Sequence, residues 1–488
     1  MVQGSASGVG KSVIATALCR VLREEGFRVA PFKAQNMSNN AAVTADGGEI
    51  GRAQAAQAEA AGIEFTVDMN PILLKPEADD RSQLVVRGRV VGSFAARDYW
   101  RHRGELWPVV TASLGALRRA HDVVVIEGAG SPAELNLRRS DLANMRVARH
   151  ASARVILVGD IERGGIFAQL LGTLDLLAPS ERHLVAGLLV NKFRGDRTLF
   201  DDGARILARR AGVPVLGVLA HDAHLPVPPE DSQNLETAQP ASADPNVQVA
   251  LIGYPRISNF DDVEPLRAAG IDVRLVRSPS ELGFPDLIVL PGSKATISDL
   301  GWLRASGLAT AIVRAVGQGI PVMGICGGLQ MLGQRLDDPE GIDGPPGSVP
   351  GLDLLPVCTR LAEAKTTRRV RGATQTATAL APIATPIVGY EIHAGVPVSG
   401  SPTPFATIRP ADGGDEVLDG AVNADGLVFG TYVHGTFHEP NFLRFAVRAL
   451  GARRGISVES DPAVGADRLA HWFRSGADVQ RIVGWIRS

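Results

Sequence analysis

The sequence predicts an α/β protein made of two doubly wound domains, each a largely parallel sheet covered by helices. Short β-branched runs alternate with amphipathic segments along most of the chain. Most runs of the first half end in Gly, Asp, Glu or Asn, as strands do at the ligand-binding edge of an open α/β sheet. One stretch without apolar periodicity divides the series in two, and 488 residues are enough for two such domains.

The predicted elements follow from these runs in chain order. In the first half, residues 1–3 form the end of a strand whose beginning we expect upstream of Met1, and further strands cover 27–32, 123–126, 155–158, 184–190 and 215–218. In the second half, strands cover 249–253, 272–276, 287–290, 321–325 and 427–432, and apolar spacing predicts helix over 441–488. The predicted domains are 1–225 and 247–445, with a proline- and alanine-rich linker at 226–246 and a helical extension at 446–488.

Composition excludes several classes of protein. Lys and Arg number 50 against 52 Asp and Glu, a net charge of −2, which argues against a nucleic-acid partner. No apolar run approaches the length of a membrane span, and no leader pattern opens the chain, which argues against a membrane partner. Three cysteines cannot form a disulfide framework, so we expect a cytoplasmic protein. The oligomeric state stays open.

A glycine-rich loop at the start of the chain has the composition of a phosphate-binding site. The sequence GSASGVGKS, Gly4 to Ser12, precedes a predicted helix. Gly4, Gly8 and Gly10 let backbone N–H groups surround phosphate oxygens; Lys11 adds charge and Ser12 offers a hydroxyl to Mg²⁺. The usual spacing would place glycine at position 5, so the loop is one residue longer than standard. We therefore expect an ATP site here.

Polar residues at other predicted strand ends support a nucleotide site. Glu127 follows the strand at 123–126 and offers a carboxylate to Mg²⁺ or a flexible backbone to phosphate. Asp160 follows the strand at 155–158. Asn191 follows 184–190, and its amide could read a purine edge. Parallel strands bring these ends to one edge of the sheet.

The long-spaced loop resembles that of the dethiobiotin synthetase-like branch of P-loop proteins. In that branch ATP activates a carboxylate or carbamate. The resemblance implies that Lys33, after the second strand, lies near the transferred phosphate. Partition-type ATPases share this fold, so the first half alone leaves the function open.

The second half contains a candidate nucleophile. Cys326 lies between a predicted strand and helix, in GICGGLQ, where small neighbours leave room for a sharp turn. A helix N-terminus favours the thiolate. His434, in GTYVHG, is the predicted base, and Gly292, after the strand at 287–290, could supply an oxyanion-hole N–H. Cys19 and Cys358 lack such surroundings and are predicted to be structural.

This half resembles the class I glutamine amidotransferases, which hydrolyse glutamine with a cysteine, a histidine and usually a glutamate. That glutamate ordinarily follows the histidine by two residues, but Thr436 stands there. Glu439 and Glu391 are the candidates for the third member, and a Cys–His dyad is the firmer expectation. Two further histidines, His393 and His438, could also belong to the site.

Chemistry connects the two halves. A carboxylate does not react with ammonia because oxide is too poor a leaving group, whereas an acyl phosphate made with ATP does. Ammonia released at the cysteine site would supply the nitrogen. The combination predicts ATP-dependent amidation of a carboxylate.

Longer motifs make the resemblance more specific: FKAQNMSNN at 32–40, DMNPILLKP at 68–76, EGAGSPAE at 127–134, GDIERGG at 159–165, NKFRGD at 191–196 and GYEIH at 389–393. With Cys326 and His434, they resemble the adenosylcobyric acid synthase family over nearly the whole chain. The resemblance implies amidation of the b, d, e and g carboxylates of adenosylcobyrinic acid a,c-diamide, with glutamine, ATP and Mg²⁺.

The resemblance also implies roles for individual residues. Lys11, Ser12, Lys33 and Glu127 would hold ATP and Mg²⁺. Asp46 would be a further metal ligand, and Asp160 a metal or substrate ligand. The expected corrinoid contacts are amides and isolated cations: Asn36, Asn39, Asn40, Lys75 and Arg163.

Two other functions remain open from the residues. One is a partition-type nucleotide switch with a degenerate amidotransferase-like half, which an intact Cys326–His434 pair argues against. The other is amidation of a different scaffold, such as the a,c-carboxylates or a cell-wall lipid. Counting amidations per substrate molecule separates these enzymes, since four fit the family and two fit the a,c-diamide enzyme.

Overall fold

The structure, a computed structural model, describes residues 1–77, 80–222, 225, 247–398, 403–456 and 464–487. These residues form two compact units. The first takes in 1–38 and the described parts of 50–230 and 463–488, and the second takes in 39–49 and the described parts of 231–462. The predicted linker 226–246 lies outside the described residues.

The elements of the described residues up to 222 include all the predicted strands and six further ones, β3 to β8, that were not predicted. The strands are β1 (Val2–Gly4), β2 (Val29–Phe32), β3 (Gln35–Met37), β4 (Ala41–Val43), β5 (Glu49–Gly51), β6 (Ile72–Pro76), β7 (Arg81–Val86), β8 (Arg89–Ala95), β9 (Val123–Ile126), β10 (Val155–Asp160), β11 (Val185–Phe193) and β12 (Val215–Ala220). The helices are α1 (Lys11–Glu24), α2 (Arg52–Ala61), α3 (Ala96–His102), α4 (Trp107–Ala120), α5 (Met145–Ala151), α6 (Ile166–Leu176), α7 (Pro179–Arg182) and α8 (Asp201–Ala211).

The elements after residue 247 include a second set of parallel strands. The strands are β13 (Gln248–Ile252), β14 (Ile257–Ser258), β15 (Asp272–Val276), β16 (Leu287–Leu290), β17 (Gly292–Ser293), β18 (Val322–Ile325), β19 (Arg335–Asp338), β20 (Gly347–Pro350), β21 (Cys358–Thr374), β22 (Pro386–Pro397), β23 (Ala406–Pro410), β24 (Val417–Asp419), β25 (Ala421–Val422), β26 (Val428–Thr431) and β27 (Val433–His434). The helices are α9 (Glu264–Ala268), α10 (Pro279–Leu282), α11 (Thr296–Ala305), α12 (Leu308–Gly317), α13 (Gly327–Leu332), α14 (Pro440–Arg453), α15 (Val464–Gly476) and α16 (Val479–Arg487).

The main sheet of the first unit is parallel. Its order β1–β10–β11–β12 is continued by the pair β2–β9, because Val2 bridges Glu127 in parallel just beyond β9. In helix α1, Ile14, Leu18 and Val21 are spaced to share one face, and all three are buried. The carboxyl ends of these strands lie at one edge, which is where the sheet delivers its polar residues. A second sheet of order β3–β6–β7–β8 completes the unit.

The second unit has a six-stranded sheet and a larger, mostly antiparallel one in which β19 and β21 pair in parallel. The first has the order β15–β13–β16–β18–β26–β25, parallel except for β25. The other contains the long hairpin β21–β22, with β27 paired to β22. The predicted α/β class and the ten strands predicted between residues 27 and 432 agree with the structure to within a few residues. The long hairpin was not predicted.

The structure corrects the predicted domain boundaries at two places. The expected boundary at residue 445 falls within α14, and the expected extension 446–488 is divided, because α15 and α16 join the first unit. Leu469 and Phe473 pack in the same apolar cluster as α1, which explains why these helices return there. In the other direction, 39–49 belongs to the second unit although it lies within the predicted domain 1–225. Among the described residues, no helix combines the length and apolar character that crossing a bilayer requires.

Candidate active sites

The glycine-rich loop leads from β1 into α1 as predicted. Gly10 adopts φ +99°, and a Cβ there would collide with the Asn191 amide, so glycine is required. Lys11 is buried, and its Nζ donates to the Ala6 carbonyl at 3.1 Å. The loop therefore folds around its own lysine at the N-terminus of a fourteen-residue helix, the arrangement that suits a phosphate group.

Glu127 is the centre of a buried polar cluster at the strand ends. Its Oε1 accepts hydrogen bonds from Ser12 Oγ and Lys33 Nζ, both at 2.8 Å, and its Oε2 accepts one from Gln57 Nε2 at 2.5 Å. Burial would raise the pKa of Glu127, but the Lys33 charge and these hydrogen bonds outweigh it and lower the pKa. An ionised carboxylate beside a serine hydroxyl is a donor set that fits Mg²⁺.

Asn191 and Asp160 lie on neighbouring strands and hold the loop rather than standing open to a ligand. Asn191 Nδ2 donates to the Val9 carbonyl at 2.9 Å, so its amide braces the glycine-rich loop. The predicted base-reading role of Asn191 stays a prediction. Lys192 Nζ donates to Gly8 O and pairs with Asp160, both at 2.8 Å, which makes Asp160 the counter-charge of a lysine at the loop.

The remaining predicted ligands are spread over both units. In the first unit, Asn36 donates to Gln54 at 3.1 Å, Lys75 is buried on β6, and Arg163 is exposed. Asn39 and Asn40 belong to the second unit. Asp46 also lies there, exposed at a hairpin turn, where it accepts a hydrogen bond from Thr44.

Cys326 occupies the predicted elbow between β18 and α13. Its φ of +52° and ψ of −108° are unusual for a side chain with a Cβ, and this strained turn projects the thiol at the start of the helix. Gly328 is required because a Cβ there would collide with the Leu290 carbonyl. The Cys326 Sγ is 3.6 Å from the carbonyl oxygen of Ile392.

His434 lies between Cys326, whose charge it senses, and Asp262, to which it is hydrogen-bonded. His434 Nδ1 lies 2.7 Å from Asp262 Oδ2, and both side chains are buried. Burial would lower the pKa of His434, but the charge and hydrogen bond of Asp262, with Cys326, raise it to about 10. Burial would raise the pKa of Cys326, but the hydrogen bond and charge of His434 lower it, helped by the charge of His393 and the Gly327 N–H. The site is therefore suited to a thiolate–imidazolium pair.

The two carboxylates predicted as third members have other partners. Glu439 caps α14, with Oε2 accepting from the Phe442 N–H at 2.7 Å. Glu391 pairs with Arg368 at 2.5 Å and with His393 Nε2 at 3.2 Å. Asp262 is the residue that the sequence reasoning missed.

The predicted oxyanion-hole residue lies beside the catalytic histidine. A Cβ at Gly292 would come within 3.0 Å of His434 Cε1 and of the Ser258 carbonyl, so the backbone passes close to the ring. A Cβ at Gly327 would lie 2.8 Å from the backbone nitrogen of Ser293. Backbone N–H groups of β17 and of the residue after the nucleophile therefore come together at the elbow.

Comparison with known proteins agrees with this arrangement. Residues 1–235 match the model of the CobQ/CobB/MinD/ParA nucleotide binding domain, and 248–442 match that of the CobB/CobQ-like glutamine amidotransferase domain. The cobyric acid synthase of Sorangium cellulosum (strain So ce56) is 49% identical, covering 99% of this chain and 98% of its own length. The cobyric acid synthase of Roseiflexus castenholzii (strain DSM 13941 / HLO8) is 50% identical, covering 100% of this chain and 98% of its own length. That of Dehalococcoides mccartyi (strain CBDB1) is 44% identical, covering 99% of this chain and 97% of its own length.

The chain belongs to the cobyric acid synthase family. It is an enzyme, a glutamine-hydrolysing amidating ligase of cobalamin biosynthesis, with a nucleotide-binding domain and a glutamine amidotransferase domain. The family, the fold class and the class of enzyme predicted from the sequence are confirmed.

Proposed function

We propose that this chain amidates the b, d, e and g carboxylates of adenosylcobyrinic acid a,c-diamide to give adenosylcobyric acid, in the cytoplasm, with ATP, Mg²⁺ and glutamine. The observation that carries the proposal is the grouping of Cys326 with the hydrogen-bonded pair His434–Asp262, in a chain that also holds a phosphate loop with a buried Lys33–Glu127 pair. The first supplies ammonia, and the second supplies an activated carboxylate.

At the amidotransferase site, the Cys326 thiolate attacks the side-chain amide carbon of glutamine. The negative oxygen that develops is stabilised by N–H groups at the elbow, for which Gly327 and the Gly292–Ser293 backbone are the candidates. The C–N bond then breaks as the His434 imidazolium gives its proton to the leaving nitrogen, and ammonia departs from a thioester. Neutral His434 next takes a proton from water, whose oxygen attacks the thioester, so glutamate leaves and the thiolate returns.

Asp262 keeps His434 in the orientation and tautomer that these steps need. With Nδ1 directed at the Asp262 carboxylate, Nε2 is left to exchange a proton with sulfur, ammonia or water. The buried negative charge also stabilises the imidazolium.

At the nucleotide site, a substrate carboxylate oxygen attacks the γ-phosphorus of ATP, and ADP leaves. Ammonia then attacks the acyl carbon, phosphate leaves with the original carboxylate oxygen, and a proton is released from nitrogen. Lys11 and Lys33 are the cations assigned to the phosphate oxygens. Ser12 and Glu127 would hold Mg²⁺, which shields phosphate charge when bound. Asn191, Asp160 and Lys192 position the loop.

The residues assigned to the corrinoid stay a proposal. Asn36, Lys75 and Arg163 lie in the unit that carries the nucleotide site, and amides and cations suit a substrate rich in carboxamides and carboxylates. Asn39 and Asn40 are proposed as further contacts on the chain that follows Asn36.

The test is an assay of the purified protein with the diamide, ATP and glutamine, read by mass spectrometry. Four successive carboxyl-to-carboxamide conversions, each dependent on ATP, are expected. The a and c groups of this substrate are already carboxamides, so an enzyme specific for those two positions would give no conversion. A product that stops short of four conversions, or no product with either glutamine or ammonia, would refute the assignment.

A further inference from the structure

Asn259 connects three parts of the amidotransferase unit. Its side-chain Nδ2 donates to the Ala41 carbonyl and to the Tyr390 hydroxyl, both at 3.0 Å. Its own carbonyl accepts a hydrogen bond from the N–H of Asp262 at 3.2 Å. The residue is buried and has φ +50°, a conformation in which asparagine is favoured over most other residues.

Tyr390 lies against the catalytic histidine. The two residues are direct cross-strand partners between β22 and β27, and their rings stack at a centroid distance of 5.5 Å and an angle of 21°. The His434 ring is thus held at Nδ1 by Asp262 and on a face by Tyr390. Asn259 contacts both of these supports.

The third part is the hairpin formed by residues 39–49, which packs within the amidotransferase unit. Ala41 and Val43 are buried, and Val43 O accepts a hydrogen bond from Arg369 Nε at 2.7 Å. Glu49 pairs with Lys365 at 2.5 Å. These contacts attach the hairpin to β21, while Asn259 attaches it to the triad.

Chain connectivity gives this hairpin its significance. It begins shortly after Lys33 and ends shortly before Gln57, and both of those residues donate hydrogen bonds to Glu127 in the phosphate-binding cluster. The segment that Asn259 contacts is therefore flanked in the chain, on both sides, by residues that hydrogen-bond to Glu127.

We propose that Asn259 and Tyr390 are positioning residues through which the hairpin 39–49 adjusts His434 and Asp262, so that glutamine hydrolysis responds to ligands of the nucleotide site. This inference rests on the proposed function, because it assumes that ammonia made at Cys326 is used in the ATP-dependent step. Its consequence is that glutamine is not hydrolysed rapidly before an acceptor is ready. The coupling is the difference in the rate of glutamine hydrolysis between the protein with and without ligands at the nucleotide site, and this difference can be measured.

The experiment measures glutamate release by the full chain with glutamine alone and with glutamine, MgATP and the diamide. The ratio of these two rates is the stimulation. Tyr390→Phe removes the hydroxyl that Asn259 contacts and keeps the ring on His434, and we expect its stimulation ratio to fall roughly three- to tenfold, the effect of one buried hydrogen bond. Val388→Ala is the matched control, since Val388 is exposed two residues earlier on the same strand, and it should keep the wild-type ratio.

A second variant guards against a simple folding defect. Asn259→Gly removes both side-chain hydrogen bonds, and glycine tolerates the positive φ, so we expect a fall at least as large as that of Tyr390→Phe. Ammonia-dependent amidation by each variant reports that the nucleotide site is intact.

The outcomes separate the two proposals. Unstimulated wild-type glutaminase, or variants whose basal and stimulated rates fall by the same factor, would overturn the coupling and leave the proposed function standing. Absence of amidation by the wild-type chain with ammonia would instead overturn the proposed function.

Discussion

Replacing Asp262 by asparagine would remove one charge from the glutaminase site and keep the shape of the side chain. The carboxylate serves two donors, His434 Nδ1 and the Gly435 N–H, each at 2.7 Å. Asparagine has one acceptor oxygen, so its NH₂ group would face one of those donors. If the NH₂ group faces Nδ1, the ring proton must move to Nε2, the nitrogen that should exchange protons at Cys326.

The structure sets the size of the expected effect. Asp262 and Cys326 together overcome burial and raise the pKa of His434 from 6.5 to about 10. A pKa difference of one corresponds to about 1.4 kcal/mol, so this rise in pKa stabilises the imidazolium by roughly 5 kcal/mol. Asp262 contributes more to this stabilisation than Cys326 does. The Asp262→Asn variant should therefore lose about 3 kcal/mol of the stabilisation of the imidazolium. In kcat/KM for glutamine, that is a fall on the order of a hundredfold.

The same substitution should change the pH dependence of glutamine hydrolysis. An imidazolium is present below its pKa and is lost as pH rises through that value, so the raised pKa of His434 keeps the wild-type pair charged up to pH of about 10. Without Asp262 the pKa of His434 falls toward its ordinary value. The alkaline limb of the kcat/KM profile should therefore move to lower pH.

The assay is glutamate release, with ammonia-dependent amidation measured on the same preparation. Glu439→Gln is the control, because Glu439 is an acid close in sequence to His434 whose partners belong to the α14 cap. The Glu439→Gln substitution should lower the free energy of unfolding by about 1 kcal/mol and leave the rate of glutamine hydrolysis nearly unchanged. Unchanged glutaminase in Asp262→Asn, or a selective loss in Glu439→Gln, would refute the triad.

Three further substitutions test the division between the two sites. Cys326→Ala should abolish glutamine-dependent amidation and keep ammonia-dependent amidation, because only the thioester step is lost; a folded variant that ammonia cannot rescue would contradict this. Lys11→Ala should stop amidation from both nitrogen sources, since a phosphate cation is lost, and ammonia-dependent product would remove Lys11 from the ATP site. Glu127→Gln leaves the Lys33 ammonium buried without its counter-charge and should lower the free energy of unfolding by about 3 kcal/mol in denaturant titrations; a loss under about 1 kcal/mol would show that the pair is not structurally coupled.

Local sequence was sufficient to predict the parallel strands of the main sheet in each unit and the residues at their ends, but not the other strands. A buried parallel strand is a short apolar run, and it ends where glycine or a polar residue begins, so β9, β16 and β18 are found within a residue of their predicted positions. Glu127 and Cys326 directly follow two of these strands. Their placement required no knowledge of distant contacts.

Asp262 could not be predicted in the same way. It lies 172 residues from His434 in the chain, on the 3-10 turn Phe260–Val263, and the adjacent Asp261 has the same local signal. The position at which the resemblance to class I glutamine amidotransferases led us to expect a glutamate holds Thr436, whose hydroxyl donates to the Val433 carbonyl. Only the three-dimensional approach of the turn to β27 distinguishes Asp262.

The exchange of segments between the two units was also beyond sequence periodicity. The pattern of α15 and α16 predicts helices with an apolar face, but an apolar face does not specify which core it joins. Trp472 and Phe473 are buried in the cluster that contains α1, at the opposite end of the chain. The hairpin 39–49 likewise has an ordinary apolar strand, Ala41–Val43, whose carbonyls accept hydrogen bonds from Asn259 and Arg369, far along the sequence.

This exchange bears on how the two activities can be linked. A fragment ending near residue 225 would lack the helices that bury part of α1, the helix that carries Lys11, and would expose Ala41 and Val43. A fragment beginning near 247 would lack the carbonyl that Asn259 contacts beside the triad. Each catalytic centre therefore depends on chain supplied from the other half of the sequence, and a perturbation of either crossing segment is placed to reach a catalytic side chain in the unit that receives it.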